Sequence, residues 1–175
     1  MGKVREVKPA KLIVGLLFCR LDLLTLILER IKDKWGSIDF ISPTFPFEHT
    51  DYYHREMGEK LWRCFVSFER LIPMESLPQI KIQSNYLEEE FSPQGNRQIN
   101  IDPGYLDASK MILATTKDFF HRAYLGQGIY AHLNLYFQKV TFHPLPWTYP
   151  DYMTAEALQF FSQVRTRYLQ QIKEK

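Results

Sequence analysis

Leu12-Ile-Val-Gly-Leu-Leu-Phe18 is an unbroken apolar run. A run of this length without polar side chains predicts a strand buried on both faces, and so one that is central in its sheet. Asp22 follows as a predicted helix cap. Leu24, Ile27, Leu28, Ile31 and Trp35 then repeat at helical spacing, and Gly36 closes the pattern as the left-handed residue past a helix end. Ile38 to Ser42 is the next short strand. Strand, helix and strand make one crossover unit, or half of a split one.

Residues 43–60 hold Pro43, Pro46 and Gly58 and read as a long surface loop, with a short helix near Tyr52–Glu59. Leu61 to Leu71 alternates. Trp62, Cys64, Val66 and Phe68 form an apolar face, with Arg63, Phe65, Ser67 and Glu69 opposite. Residues 76–91 fit a helix capped by Ser76, with Pro78 in its first turn; Ile80-Lys-Ile82 also fits a strand, and the helix is favoured. Arg97 to Ile101 is a strand. Asp102-Pro-Gly-Tyr105 carries the chemistry of a type II turn, which puts Gly104 at positive φ. Lys110 to Thr115 is a further strand.

Ile129 to Phe137 alternates without a break, which puts its odd-numbered residues on the core face and Tyr130, His132, Asn134 and Tyr136 on the other. Val140 to His143 continues it as a hairpin, and Pro144, Pro146 and Pro150 mark an extended link. Thr154 caps a last helix, where Leu158, Phe161, Val164, Tyr168 and Ile172 keep the apolar stripe. Arg165, Arg167, Lys173 and Lys175 make its basic side, which the helix dipole favours near a C-terminus. This order predicts an α+β fold: a mostly antiparallel sheet with helices packed on it, in the ferredoxin-like split βαβ order, with an added C-terminal hairpin and helix. No repeat or linker interrupts the chain, so residues 1–175 read as a single domain.

The 22 Lys and Arg nearly balance the 20 Asp and Glu, which counts against a dedicated nucleic-acid binder. The apolar share of 45% excludes a disordered chain. Aromatic residues reach 15%, enough for a heavy core and for tyrosine-lined binding surfaces. Cys19 and Cys64 sit in apolar runs without a C-x-x-C partner and read as reduced core residues of a cytoplasmic protein. The basic residues before Leu12 imitate a signal peptide, but Arg20 and Asp22 cut the apolar stretch short. Nothing approaches the length of a membrane span.

Several segments carry a resemblance: Phe45 to Tyr53 leading into Glu56-Met-Gly58, Asn100-Ile-Asp-Pro-Gly-Tyr-Leu106, Leu113 to Asp118 with His121-Arg122, Gly128-Ile-Tyr130, and Pro146-Trp-Thr-Tyr-Pro-Asp-Tyr152. Together they resemble the bacterial domain-of-unknown-function family 4416 over nearly the whole chain. The resemblance implies no assigned activity, ligand or catalytic residue. Members are sometimes labelled GTP-binding, yet no G-x-x-x-x-G-K-[ST] stretch stands between a strand and a helix here.

The leading candidate for chemistry is Thr115 to Arg122. Thr116 would cap a short helix whose free N–H groups meet an anion, with Lys117 and His121 on one face. The plainer reading pairs Asp118 with Arg122 on a solvated surface. This segment is expected beside Asp102–Tyr105 and Trp147–Asp151 in one concave patch. Asp102, Thr116, Lys117, His121 and Arg122 would then meet a small anionic molecule, a nucleotide or phosphometabolite, between Tyr105, Trp147 and Tyr149. An enzyme acting on such a ligand through Asp102, His121 or His132 is the alternative. A further one is an RNA- or partner-binding face built from Tyr130, His132, Asn134 and Tyr136. Glu48, His49, Asp51 and His54 read as a polar loop rather than a metal site. Glu88-Glu-Glu90 reads as a solvated helix face that could approach Asp102 and make a carboxylate pair. No motif names a cofactor.

Overall fold

β1 (Ala10–Phe18) is buried along its whole length, as its apolar run requires. The computed structural model describes residues 2–173; Lys175, read above as part of the basic side of the last helix, lies outside them. After β1 come α1 (Leu23–Trp35), β2 (Ile38–Ile41), β3 (Phe45–Phe47), α2 (His54–Met57), β4 (Leu61–Ile72), α3 (Leu77–Glu90) and β5 (Ile99–Leu106). β6 (Lys110–Thr115), β7 (Arg122–Gly126), β8 (Ile129–Gln138), β9 (Thr141–Pro144) and α4 (Ala155–Gln171) complete the order. The strands form one antiparallel sheet in the order β2-β4-β1-β5-β6-β8-β7, with β3 added on β4 and β9 on β8. The fold is α+β. β1 and β2, joined through α1, hold β4 between them.

Helices cover both faces. Leu12, Val14, Leu16 and Phe18 pack with Ile27 and Ile31 of α1 and with Ile80 and Leu87 of α3. On the opposite face Ile13, Phe65, Leu106 and Met111 pack with Phe160, Phe161 and Val164 of α4. β4 is therefore buried on both sides as far as Phe68, and Arg63, Phe65 and Ser67 are not on a solvated face. No helix of the described residues is long and apolar enough to cross a membrane.

Three local expectations change. Asp22 does not cap α1, because its backbone is already helical and its carboxylate pairs with Arg20 at 2.8 Å. Ser76 does not cap α3; its hydroxyl donates to the Pro73 carbonyl at 2.6 Å. Thr154 does cap α4, accepting from the Ala157 N–H at 3.2 Å. Gly36 takes φ +99° past the end of α1, as its position demands.

The largest correction falls on Asp102-Pro-Gly-Tyr105. It is not a turn. These residues lie inside β5, Gly104 is not among the residues at positive φ, and Val14 pairs with Pro103 across β1. Gly104 is required for closeness instead. A Cβ there would stand 2.3 Å from the Ile112 carbonyl oxygen and 2.8 Å from Leu113 Cδ2. Pro103 has a different effect. Backbone N–H groups alternate sides along a strand, and that of Ile101 points away from β1 to Glu88 Oε1 at 2.7 Å. The Pro103 nitrogen points the same way and carries no hydrogen, so it cannot donate to β6. Pairing of β5 with β6 runs from Leu106 to Gly104 and stops there. The sheet forks at Pro103.

Ile129 to Phe137 also departs from its simple pattern. Ile112 pairs with Leu133 and Met111 with Leu135, so Asn134 is an extra residue, a bulge in β8. Ile129, Ala131 and Leu133 pack on the α3 side, whereas Leu135 and Phe137 pack on the α4 side. The alternation holds up to the bulge and changes face after it.

Candidate functional site

The fork between β5 and β6 opens a polar cavity of about 150 Å³. Its walls are Asn100 and Asp102 of β5, Lys81, Asn85 and Glu88 of α3, and Ala114 to Lys117 at the end of β6, with Tyr53 and Tyr149. α3 supplies what the missing strand pairing would have supplied. Glu88 takes the Ile101 N–H, and Lys81 Nζ donates to the Ile101 carbonyl at 2.9 Å. Buried backbone groups need such partners, which accounts for a lysine and a glutamate inside α3. Glu88 is thus buried rather than solvated. Burial raises its pKa, against the opposing pull of Lys81 and Arg97.

A second, outer lobe of about 390 Å³ adjoins the first and shares Tyr52, Tyr53, Asp102, Lys117 and Tyr149 with it. Phe47, His49, Thr50, Arg63, Arg122, Pro150 and Asp151 complete its wall. Arg63 and Asp151 are 4% and 3% exposed at the side chain and lie 2.6 Å apart, Nε to Oδ2. Arg63 also reaches Asp102 Oδ2 at 3.3 Å. The reach is possible because Gly15 stands between them. It pairs with Asp102 in β5, and a Cβ there would meet Arg63 Nη1 at 3.1 Å and the Tyr152 hydroxyl at 2.3 Å. Asn100 Nδ2 donates to the same Asp102 oxygen at 2.8 Å, and Arg97 joins Asn100, Glu88 and Glu56. A polar chain thus runs from Glu56 to Asp151 along the base of the cleft. Both hydrogen bonds to Asp102 fall on Oδ2, leaving Oδ1 uncommitted.

The segment 116–121 is not a helix, so there is no helix start to hold an anion. It is a loop; the Thr115 hydroxyl accepts from the Lys117 N–H at 3.2 Å, and Arg122 opens β7. Asp118 does not pair with Arg122. Lys117 Nζ instead lies 2.8 Å from the Tyr52 hydroxyl and 4.3 Å from the centre of its ring. Arg122 donates to the Lys117 carbonyl at 2.8 Å and to the Tyr149 hydroxyl at 3.1 Å. Among the described residues neither Lys117 nor Arg122 has a carboxylate within 4.0 Å.

His121 and His132 stand behind this mouth. Trp147 stacks on His121 at 4.7 Å and 12°, and Tyr149 on His132 at 4.8 Å and 12°. Two obligatory donors fix their protons. The Tyr149 N–H reaches Asn134 Oδ1 at 3.4 Å, so that atom is an acceptor and His132 Nε2, at 3.2 Å, carries the hydrogen. Arg122 Nε–H then faces a bare His132 Nδ1, which also accepts from His121 Nε2 at 3.1 Å. Burial first, then Arg122 and His121, push the His132 pKa down to about 4.

The link 145–149 lies over this face of β8. Trp147 Nε1 donates to the Leu133 carbonyl at 2.8 Å, and the Thr148 hydroxyl to that of Asn134. His132 and Asn134 are therefore covered, and Tyr136 lies beyond the bulge, stacked on His143. The open aromatic face does not form. Of the expected site residues, Asp102, Thr116, Lys117, Arg122 and Tyr149 line the cleft. His121 and Trp147 back it without lining it. Tyr105 is elsewhere, at the paired end of β5, against Leu77, Ile112 and Ile129. Among the described residues no three His, Cys, Asp or Glu gather as metal ligands.

Sequence reading missed Arg63, Tyr53, Asn85 and Asn100, and although Asp151 stood in the expected patch its pairing with Arg63 was not foreseen. Arg63 carried a signal, as a charge on a strand whose neighbours Phe65 and Ser67 are small or apolar enough to be buried.

These features define an α+β protein with a two-lobed polar cleft at a forked antiparallel sheet. The chain belongs to the family described as a domain of unknown function, DUF4416, whose model matches residues 8–168. No curated protein and no solved structure matches the chain.

Proposed function

We propose that this protein binds a small anionic molecule, a nucleotide or phosphometabolite, in the cleft between β5, the loop 116–121 and Tyr149. The observation that carries this reading is the meeting of Lys117 and Arg122 at one mouth without a carboxylate partner among the described residues. Other cations of the cleft are neutralised: Arg63 by Asp102 and Asp151, Arg97 by Glu56 and Glu88. Two cations lining one lobe without a carboxylate partner offer an anion charge-assisted hydrogen bonds. Tyrosines at the rim supply apolar lining of the kind small-molecule sites use. The free thiols of Cys19 and Cys64 favour a cytoplasmic setting.

A second reading, an enzyme acting on such a ligand, draws on the uncommitted Oδ1 of Asp102 within the same cleft. A thermal-shift screen of phosphorylated metabolites and nucleotides tests the first reading. A true binder at 100 times its dissociation constant stabilises the fold by about 2.7 kcal/mol. Lys117→Ala and Arg122→Ala should each remove about 1.5–3 kcal/mol of binding. A screen with no shift, or shifts indifferent to both substitutions, would refute it.

A further inference from the structure

The two lobes differ in what they leave unsatisfied. In the inner lobe Asn85, Thr116 and Tyr53 make no side-chain hydrogen bond among the described residues, and Asp102 keeps Oδ1 uncommitted. These groups offer donors and acceptors together: an amide, two hydroxyls and a carboxylate oxygen. Of the charged groups of this lobe, Lys81, Glu88 and Arg97 are already engaged with one another, with Glu56 or with Ile101. Such a pocket suits a guest that is uncharged and rich in hydroxyls, because each hydroxyl both donates and accepts. A purely apolar guest would leave these groups unpaired, at the cost of their desolvation. Lys117 lies at the junction and lines both lobes, with the Arg122 guanidinium on its carbonyl oxygen.

Resting on the anion-binding reading, we propose that the ligand is a phosphorylated sugar or polyol of about pentose size. Its hydroxyls occupy the inner lobe, and its phosphate sits between Lys117 and Arg122. The inner lobe of about 150 Å³ takes a short hydroxylated chain, and the adjoining outer lobe of about 390 Å³ leaves room for the phosphate. Asp102 Oδ1 and Asn85 read the hydroxyls, and a carboxylate is matched to adjacent hydroxyl donors. The Tyr52 hydroxyl, now on Lys117 Nζ, gives way to a phosphate oxygen, a stronger charge-assisted acceptor.

Isothermal titration of the full chain with four probes tests this: ribose 5-phosphate, inorganic phosphate, ribose and adenosine 5′-monophosphate. Ribose 5-phosphate should bind at least about tenfold more tightly than each of the others, a difference of about 1.4 kcal/mol. Asn85→Ala should weaken ribose 5-phosphate about tenfold and leave inorganic phosphate unchanged, while Lys117→Ala weakens both. Asn85 belongs to no ion pair, so its loss does not disturb the buried network that an Asp102 variant would strain. Equal affinity for phosphate and ribose 5-phosphate, or no effect of Asn85→Ala, would overturn the sugar assignment and leave the anion reading in place. Preference for the nucleotide by about tenfold would overturn the size assignment. No binding of any phosphate-bearing probe would refute both.

Discussion

Arg122 and His132 are directly opposite each other in β7 and β8, with the guanidinium Nε 3.4 Å from His132 Nδ1. A permanently charged donor therefore faces the one imidazole nitrogen that has to stay bare. Protonating His132 would bring two positive groups together inside a buried layer, and the fold disfavours it.

Burial of His132, reinforced by that pairing, sets a pH dependence. Unfolded, His132 titrates near its ordinary value of 6.5, and folded, near about 4. Between these values the unfolded chain holds the extra proton. Stability should therefore fall as pH drops from about 6.5 towards about 4, with no further loss from this group below. The contribution is at most about 3 kcal/mol. Urea denaturation at several pH values, with His132→Gln for comparison, checks it; an equally steep decline in the variant would assign the effect elsewhere.

Gly104→Ala should destabilise the protein by about 1–3 kcal/mol, the usual cost of overpacking. The new Cβ would overlap the Ile112 carbonyl oxygen, which belongs to the β5–β6 ladder and has little room to move. Chemical denaturation gives the number, and a neutral result would contradict the close approach of the two strands.

Arg63→Met leaves Asp151 buried and without its cation. Breaking a buried pair in this way costs about 3–5 kcal/mol. Adding Asp151→Asn should recover part of that loss, with a coupling of about 0.5–3 kcal/mol in a double-mutant cycle. Simple additivity of the two changes would mean that the pair does not act as one.

Arg97 holds Glu56 of α2 through two hydrogen bonds of 2.8 Å, Nε to Oε1 and Nη2 to Oε2. Hydrogen bonding to Arg97 keeps the Glu56 pKa below the usual range, against the opposing effect of burial. Glu56→Ala should release the segment that carries Tyr52 and Tyr53. Amide exchange over residues 51–58 should accelerate while β1 and β4 stay protected. Unchanged exchange in 51–58 would show that Phe47 and Met57, packed with Leu61, suffice to hold it.

The helices and central strands were legible because their periodicity is set by core packing. Leu12–Phe18 read correctly as a strand covered twice, and the α4 stripe read correctly from Leu158 to Tyr168. Asp102-Pro-Gly-Tyr105 misled because its local chemistry suits a turn equally well. What makes it a fork is distant: β1 on one side and the side chains of α3 on the other. The Asn134 bulge was hidden for a related reason. Apolar residues continue at odd positions past it, and only a sheet covered on both faces can accept them on either. Lys117, Arg122 and Tyr149 were foreseen together because loops at one end of a sheet converge, whereas Asp102 reaches them from within β5, where the fork exposes it. Arg63 was not, since alternation with Phe65, Ser67 and Glu69 gives a strand face the look of one turned to water.

The cleft draws its walls from residues 47–53, 63, 81–102, 113–122, 132 and 149–151. Its last wall, Tyr149 to Asp151, is anchored through the link over β8 and supplies the counter-charge of Arg63. During synthesis the chain emerges from its N-terminus, and Arg63 is made long before Asp151. Until residues 149–151 leave the ribosome, β1, β4 and β5 can pair but Arg63 has only Asp102 to meet it. A ribosome-bound chain stalled short of that point carries the residues of the whole sheet but an unfinished cleft, whose last wall arrives only with residues 149–151.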